Sequence, residues 1–364
     1  MTTYLLAGGG TAGHVNPLLA IADRLRAREP RAEVLVLGTA EGIEARLVPE
    51  RGYELITIPR LPFPRRPSGA AFRFPKAFAE TVTQIRGIMR ERGVDVVVGV
   101  GGYAAAPAYV AANRESLPLA IHEANARPGI ANRLGARYTS HVGVAFEGTP
   151  LPRATVVGMP LRVEIEMLDR FAARQEAIGF FGLEAQRPTL LVTGGSSGAL
   201  RINETVSDSI AAILGLGWQV IHITGEFREP VEHRGLPGYR VLKYCDRMEL
   251  ALALADLAVA RAGTSTVAEL AAIGVPAVFV PYPVGNGEQK LNARQAVRAG
   301  GATIVSDAAF TPEWVSTELV SLLRDRARIA DMAARMATTG IRDATDRMIA
   351  IIDSAAAAAT SARH

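Results

Sequence analysis

The sequence predicts an α/β protein made of two doubly wound, parallel-sheet domains. Three observations carry that expectation. Short apolar runs alternate with amphipathic stretches along almost the whole chain, which is the rhythm of consecutive βαβ units. Glycine-rich turns follow several of the apolar runs, where such a chain passes from strand to helix. The rhythm stops once, in a proline-rich stretch near the middle, and then restarts.

In order along the chain, residues 4–7, 33–37, 55–58, 94–100, 117–121 and 141–144 read as strands, with amphipathic helices at 17–28 and 74–92. The segment "TPLPRATVVGMPLR" at 149–162 holds three prolines and a glycine and reads as a linker. A boundary near Pro160 gives a first domain at 1–160 and a second at 161–364. Strands resume at 189–193, 218–223, 239–243, 257–260, 277–281 and 303–305. From residue 311 the pattern is helical, the last helix is expected to pack back on the first domain, and the alanine-rich end to fray.

Composition bounds the function. At 364 residues, 49% hydrophobic and 21% charged, the chain is globular and long enough for two cores. Cys245 is the one cysteine, so no intramolecular disulfide forms, which fits a reducing cytoplasm. The first residues read as a strand without a basic leader, so no signal peptide is expected. The longest uncharged run, 96–113, is interrupted by Gly99, Gly101, Gly102 and Pro107. A spanning helix needs ~20 apolar residues, so no transmembrane segment is expected. A net charge of +4 points to anionic ligands or a membrane surface, not to nucleic acid.

The first loop, "GGGTAGHVNPLLA" at 8–20, satisfies G-x-G-x-x-G through Gly8, Gly10 and Gly13. Glycines there let backbone approach a ligand, and N–H groups at a helix start attract anions. A dinucleotide reading is disfavoured, because Glu33 starts the second strand instead of ending it. "VGVGGYAAAP" at 98–107 and "LLVTGGSSGALRIN" at 190–203 repeat the strand–glycine–helix pattern. Together the loops predict two phosphorylated ligands, although any single loop also suits plain strand–helix packing. In "RAGTSTVAELAAIGVPAVFVPYP", 261–283, Thr264–Thr266 are expected to cap a helix with Glu269 in its first turn. Glu269 then serves either as a capping acid or as acceptor for ribose hydroxyls. Gln289 and Asn292 lie three apart on one helix face and suit sugar hydroxyls, or simply solvent.

These motifs, in this order, resemble the MurG family, the UDP-N-acetylglucosamine:undecaprenyl-diphosphoryl-muramoyl-pentapeptide N-acetylglucosaminyltransferases of bacterial cell-wall synthesis. The likeness covers nearly the whole chain, through 9–20, 101–107, "HEANARPGIANR" at 122–133, "GMPLR" at 158–162, 194–203, 261–283 and "EQKLNA" at 288–293. It implies two Rossmann-like domains facing a cleft, the GT-B arrangement, with the acceptor, lipid I, on the first and the nucleotide sugar on the second. Carried over, Thr11, Ala12 and Gly13 lie beside the donor sugar, and Asn125 touches its N-acetylglucosamine. Arg162 and Ser196 meet the donor diphosphate, while Thr264, Ser265, Thr266, Val267, Ala268 and Glu269 hold diphosphate and ribose. Gln289 and Asn292 take the sugar hydroxyls, and Cys245 stands where the family reads uracil through the backbone of an aliphatic residue. Gly10, Gly13, Gly102 and Tyr103 are expected to hold the acceptor diphosphate. Ala12, Ala124 and Glu288 depart from the family's usual Gly, Gln and Gln.

The resemblance implies inverting transfer to the 4-hydroxyl of the muramoyl sugar. His14 is the expected base, suited by an ordinary pKa near 6.5; otherwise it only fixes the loop. His122 is a weaker candidate. No Asp-x-Asp follows a strand in the second half, so neither metal nor cofactor is expected. The expected partners are UDP-N-acetylglucosamine, undecaprenyl-linked lipid I, the cytoplasmic face of the cell membrane as a peripheral site, and other cell-wall synthesis proteins. Residues 60–76, with Arg60, Arg65, Arg66, Arg73 and Lys76 among Phe63, Phe72 and Phe74, would supply the membrane contact, or form an ordinary loop beside core phenylalanines. The competing readings are a transferase for a soluble acceptor, a UDP-sugar 2-epimerase and a non-catalytic nucleotide-sugar binder.

Overall fold

The computed structural model describes residues 1–64, 69–226, 235–284 and 286–361. The chain divides into two units: residues 1–162 with 343–364, and residues 163–342.

Unit 1 holds β1 (Thr3–Ala7), β2 (Glu33–Gly38), β3 (Glu54–Thr57), β4 (Val96–Gly99), β5 (Leu119–Glu123), β6 (His141–Val144) and β7 (Ala154–Val156). They form one sheet in the order β3-β2-β1-β4-β5-β6-β7, and every pairing is parallel. A parallel sheet buries both faces, which is why its strands read as unbroken apolar runs. Alternation within β1 shows the two faces. Tyr4 and Leu6 meet Val15, Leu18, Ile21 and Leu25 of the helix Ala12–Arg28, together with Met348 and Ile352 of the helix Ala344–Ser361. Leu5 and Ala7 meet Val82, Ile85 and Met89 of the helix Gly69–Glu91 and Tyr109 of the helix Ala105–Arg114.

Unit 2 holds β8 (Thr189–Thr193), β9 (Gln219–Ile223), β10 (Tyr239–Leu242), β11 (Ala255–Ala260), β12 (Ala277–Phe279) and β13 (Ala302–Ile304), again all parallel, in the order β10-β9-β8-β11-β12-β13. One face is covered by Ile202, Val206, Ile210 and Ile213 of the helix Leu200–Gly215, packed on Leu190, Val192 and Val220.

Two expectations need correction. The stretch read as a linker contains β7, a three-residue edge strand that pairs with β6 through Val142, Gly143 and Val144. Edge strands are short and tolerate neighbouring prolines, so the composition hid it. The helix Thr264–Ile273 starts at Thr264, with Gly263 as its N-cap and no side-chain cap. The hydroxyls of Thr264–Thr266 therefore sit on helical residues, and Glu269 lies in the second turn, beyond capping-box reach.

Strand order fixes where ligands bind. In each sheet the order reverses once, between β1 and β4 and between β8 and β11. Open parallel sheets take ligands at the carboxyl ends of the strands flanking that reversal. The four segments there are Gly8–Gly13, Gly101–Tyr103, Gly194–Gly198 and Arg261–Gly263, all singled out by the sequence.

Candidate functional site

In unit 1, the loops after β1 and β4 touch backbone to backbone. Gly102 has φ +90°, and a methyl group there would lie 2.3 Å from the Gly9 carbonyl oxygen, so only glycine permits the approach. Thr11 is the N-cap of the helix Ala12–Arg28, but its side chain caps no N–H. Its Oγ1 lies 3.2 Å from Nδ1 of His14 instead. Ala12 and Gly13 open the helix, and His14 follows in the first turn, half-buried. Burial pushes the His14 pKa below its ordinary value, while the Glu44 carboxylate pulls it back. The ring edge of His14 faces Gly101: a methyl group there would lie 3.3 Å from Nε2 and 3.4 Å from Nδ2 of Asn132.

Beside this edge is a buried polar chain. Tyr109 donates to Oδ1 of Asn132 at 2.6 Å, and the Asn132 amide donates to the His122 carbonyl and to Glu123. Glu123 also accepts the N–H groups of Asn125 at 2.8 Å and Gly129 at 2.9 Å. Burial raises its pKa, and these donors work against that rise. Asn125, half-buried, is thus oriented by Glu123. His122 is fully buried, its Nε2 2.8 Å from the Gly158 carbonyl, and burial takes its pKa down to about 4. So deeply neutral a ring, sealed from solvent, serves structure and not proton transfer.

One acceptor expectation is corrected here. The Gly10 N–H already donates to Oε2 of the buried Glu44 at 2.8 Å, so it is not open to an anion. A carboxylate behind the loop also repels a phosphate in front of that N–H. Tyr103 sits against Gly10, and the Arg60 guanidinium lies 4.7 Å over the Tyr103 ring, donating to its hydroxyl at 3.3 Å. Gly13, Gly102 and Tyr103, with Arg60 as the nearby cation, remain the residues able to meet a diphosphate in this unit.

In unit 2, Gly194–Gly198 lead into the helix Leu200–Gly215, whose N-cap Ala199 offers no side-chain cap. The helix Thr264–Ile273 is likewise uncapped by side chains. By contrast, Asp169 caps the helix Arg170–Phe181 through Phe171 and Ala172, and Asp325 caps the helix Arg326–Ala337 through Arg328. Uncapped helix starts at the sheet's reversal present N–H groups and a positive dipole end to an anion. Ser196 is exposed on the first of these loops, its carbonyl fixed by the Glu226 N–H at 2.9 Å. Ser265 Oγ on the second is buried without a partner among the described residues, as is Arg162 Nε at the end of unit 1. Such atoms cost ~1–3 kcal/mol each unless a ligand answers them. Thr264 and Val267 are buried; Thr266, Ala268 and Glu269 are half-buried, as is Cys245 just beyond β10.

Gln289 and Asn292 part company. Oε1 of Gln289 accepts the Tyr282 N–H at 2.9 Å, which leaves its amide nitrogen for a ligand. Asn292 is 1% exposed and donates to the Ala262 carbonyl at 3.3 Å. It fastens the helix Glu288–Asn292 to the loop after β11, and its expected sugar contact is corrected on that ground. Arg261 braces the same corner, donating to the carbonyls of Val280 and Pro281 and pairing with Asp307 at 2.6 Å.

Sequence reasoning missed Glu44, Glu123, Tyr109 and Asn132. Glu123 and Asn132 stand within the motif at 122–133, so their signal lies in the sequence. Glu44 bonds across 34 residues to Gly10, a pairing no local pattern announces.

Comparison with known proteins agrees with this geometry. Residues 4–144 match the glycosyltransferase family 28 N-terminal domain, and residues 189–348 match the family 28 C-terminal domain. The UDP-N-acetylglucosamine--N-acetylmuramyl-(pentapeptide) pyrophosphoryl-undecaprenol N-acetylglucosamine transferase of Leifsonia xyli subsp. xyli is 64% identical over 359 residues, covering 99% of this chain and 100% of the relative. Its namesake from Streptomyces coelicolor is 47% identical, covering 97% and 98%. The crystal structure of Acinetobacter baumannii MurG superposes with a TM-score of 0.79 at 27% identity, covering 97% of this chain and all of that one. A UDP-N-acetylglucosamine 2-epimerase structure from Listeria monocytogenes, at TM-score 0.69 and 13% identity, shares the fold alone. The chain belongs to glycosyltransferase family 28 and, within it, to the family of these N-acetylglucosamine transferases.

Proposed function

We propose that this transferase moves N-acetylglucosamine from UDP-N-acetylglucosamine to the 4-hydroxyl of the muramoyl sugar of lipid I by one inverting displacement, with His14 as the base. The acceptor oxygen attacks the anomeric carbon, the bond from that carbon to the diphosphate breaks, and UDP leaves with the electron pair. The hydroxyl proton passes to Nε2 of His14. The observation that carries this reading is the setting of that ring: Nδ1 is held by Thr11, so with the proton on Nδ1 the basic nitrogen is Nε2, beside Gly101. A pKa kept low by burial leaves the ring neutral at pH 7, and a placed base of this kind contributes ~10²–10⁴ in rate.

Charge on the departing diphosphate is met by the open N–H groups at the starts of the helices Leu200–Gly215 and Thr264–Ile273, by Ser196 and Ser265, and by Arg162. Glu269 takes the ribose, the Gln289 amide the sugar hydroxyls, Asn125 the N-acetyl sugar, and the backbone around Cys245 the uracil, as the family resemblance implies. Gly13, Gly102 and Tyr103 hold the acceptor diphosphate.

Lipid I is met at the bilayer surface, as the family resemblance implies; among the described residues no helix is long and apolar enough to cross a membrane. The helix Gly69–Glu91 supports that contact, with Phe72 86% exposed beside the exposed Arg73 and Lys76. Arg65 and Arg66 lie outside the described residues. Phe63 and Phe74 belong to a ring cluster with Phe78, at centroid separations of 5.3–6.5 Å, and face one another more than a membrane.

The test is UDP release from UDP-N-acetylglucosamine, with and without a short-chain lipid I analogue. Release only with acceptor is expected, falling by ~10²-fold or more in His14→Ala at unchanged donor affinity. Conversion of UDP-N-acetylglucosamine to an isomeric UDP-sugar without acceptor would support the epimerase, and wild-type turnover in His14→Ala would remove the base.

A further inference from the structure

Glu44 opens the short helix Glu44–Glu50 and is 1% exposed. A buried carboxylate is costly unless its lone pairs find donors. Here Oε2 accepts the Gly10 N–H at 2.8 Å, while Oε1 accepts the Thr39 N–H at 3.0 Å and the Thr39 hydroxyl at 2.8 Å. The space is closed as well: a methyl group at Gly9, Gly38 or Gly42 would come within 2.3, 2.7 or 2.0 Å of Glu44 atoms. Three glycines, one in the loop after β1 and two at the end of β2 and in the turn that follows it, thus clear a slot for one carboxylate at the back of the loop that carries Thr11 and His14.

The charge of Glu44 also reaches that ring. Among the described residues it is the charged group that acts on His14, while His122, on β5, is close but neutral, and Glu41 and the exposed Arg60 act on one another. A structural plug would need no charge, and an amide in the slot would turn a donor toward a donor at Gly10.

We propose that Glu44 is a positioning residue for the transfer: through Gly10 it fixes the loop that bears His14, and its negative charge faces the imidazolium formed when His14 takes the acceptor proton. The inference rests on His14 being the base. Glu44 takes no proton from the acceptor; it acts on the imidazole through the loop and its charge, as a carboxylate does behind a catalytic histidine.

Glu44→Gln keeps the size and removes the charge. Turnover with UDP-N-acetylglucosamine and the lipid I analogue should fall by about 10²-fold in kcat, with KM for the donor within about twofold. The acid limb of the pH–rate profile and the NMR titration of the His14 imidazole should both move to lower pH, because the charge that holds the His14 pKa up is gone. Thr39→Val removes a donor but no charge; it should lower Tm and leave the His14 titration in place. Glu44→Asp, charged but shorter, should recover part of the lost turnover with the acid limb near its original position. If Glu44→Gln does not fold, Glu44→Asp decides, since wild-type kcat there contradicts a positioning role. An unmoved His14 titration in folded Glu44→Gln overturns the inference, whatever His14→Ala does. Wild-type turnover in His14→Ala removes the base assignment on its own.

Discussion

His122 and His222 are both sealed in the interior, and burial takes each to a pKa of about 4. His222 is fully bonded as the neutral tautomer: Tyr239 donates to Nδ1 at 2.8 Å, and Nε2 donates at 3.1 Å to Asn203, whose amide is fixed on the Thr224 carbonyl. A second ring proton would put a charge in this buried site, and burial disfavours it. In the unfolded chain the same imidazole titrates near 6.5. Between about pH 6.5 and 4 the unfolded state therefore holds a proton that the folded state lacks, so stability falls as pH drops through that window. Each site withdraws up to about 3 kcal/mol by pH 4. In unit 1 the neighbouring Glu123 opposes His122, because its raised pKa makes protonation favour the folded state. His222 in unit 2 is the cleaner reporter. Urea midpoints measured from pH 7 to pH 4.5 should fall steadily for the wild type and less steeply for His222→Gln. It is the slope that matters, since the variant starts lower at pH 7; equal slopes would show that His222 does not govern acid stability.

At the scale of single elements, the strand–glycine–helix units were legible because their signals are local. A run such as 189–193, a glycine turn and a helix starting at Leu200 are written in consecutive residues, and β8 with its helix falls on them. Asn292 was legible as a helical residue but not as a buried one, since spacing gives a face and not what the face meets. The slot of Glu44 depends on glycines from segments that only the fold assembles. The helix Gly69–Glu91 mixes both cases. Its phenylalanines read alike in sequence, yet the structure divides exposed Phe72 from the cluster of Phe63, Phe74 and Phe78. A membrane contact should therefore depend on Phe72, Arg73 and Lys76. The Lys76–Glu80 pair, at 3.9 Å and exposed, does little to hold the lysine back. Each basic residue near an anionic surface contributes about 1 kcal/mol, roughly fivefold in partitioning. In a sedimentation assay with vesicles that do or do not contain anionic lipid, R73E/K76E should weaken binding to the anionic vesicles by at least about 25-fold relative to wild type. Phe72→Ser should weaken binding to both kinds of vesicle. Binding indifferent to all three changes would move the membrane face elsewhere.

At the scale of the molecule, unit 1 is built from two separated pieces of chain, and the second piece closes its core. Met348, Ile349 and Ile352 of the helix Ala344–Ser361 are buried among Tyr4, Leu6, Val96 and Val98. Gly143 on β6 leaves room for them, since a methyl group there would lie 2.9 Å from Met348 Sδ. Ion pairs from Arg24 to Asp346 and from Arg28 to Asp353 add little at this exposure. Burial of three such side chains stabilises by ~1.5–3 kcal/mol each, against ~5–15 kcal/mol for a whole domain. Unit 2, residues 163–342, has its own sheet and its own core cluster. Deleting residues 343–364 should then unfold unit 1 selectively. Limited proteolysis should cut within residues 1–162 and leave a resistant fragment spanning about 163–342. Turnover with the lipid I analogue should vanish. A truncated chain with wild-type protease resistance in residues 1–162 would show that the strands and the helix Ala12–Arg28 suffice without the last helix. An equal loss of protection in both units would show that they unfold as one cooperative body, and the selective role of the last helix in unit 1 would be lost.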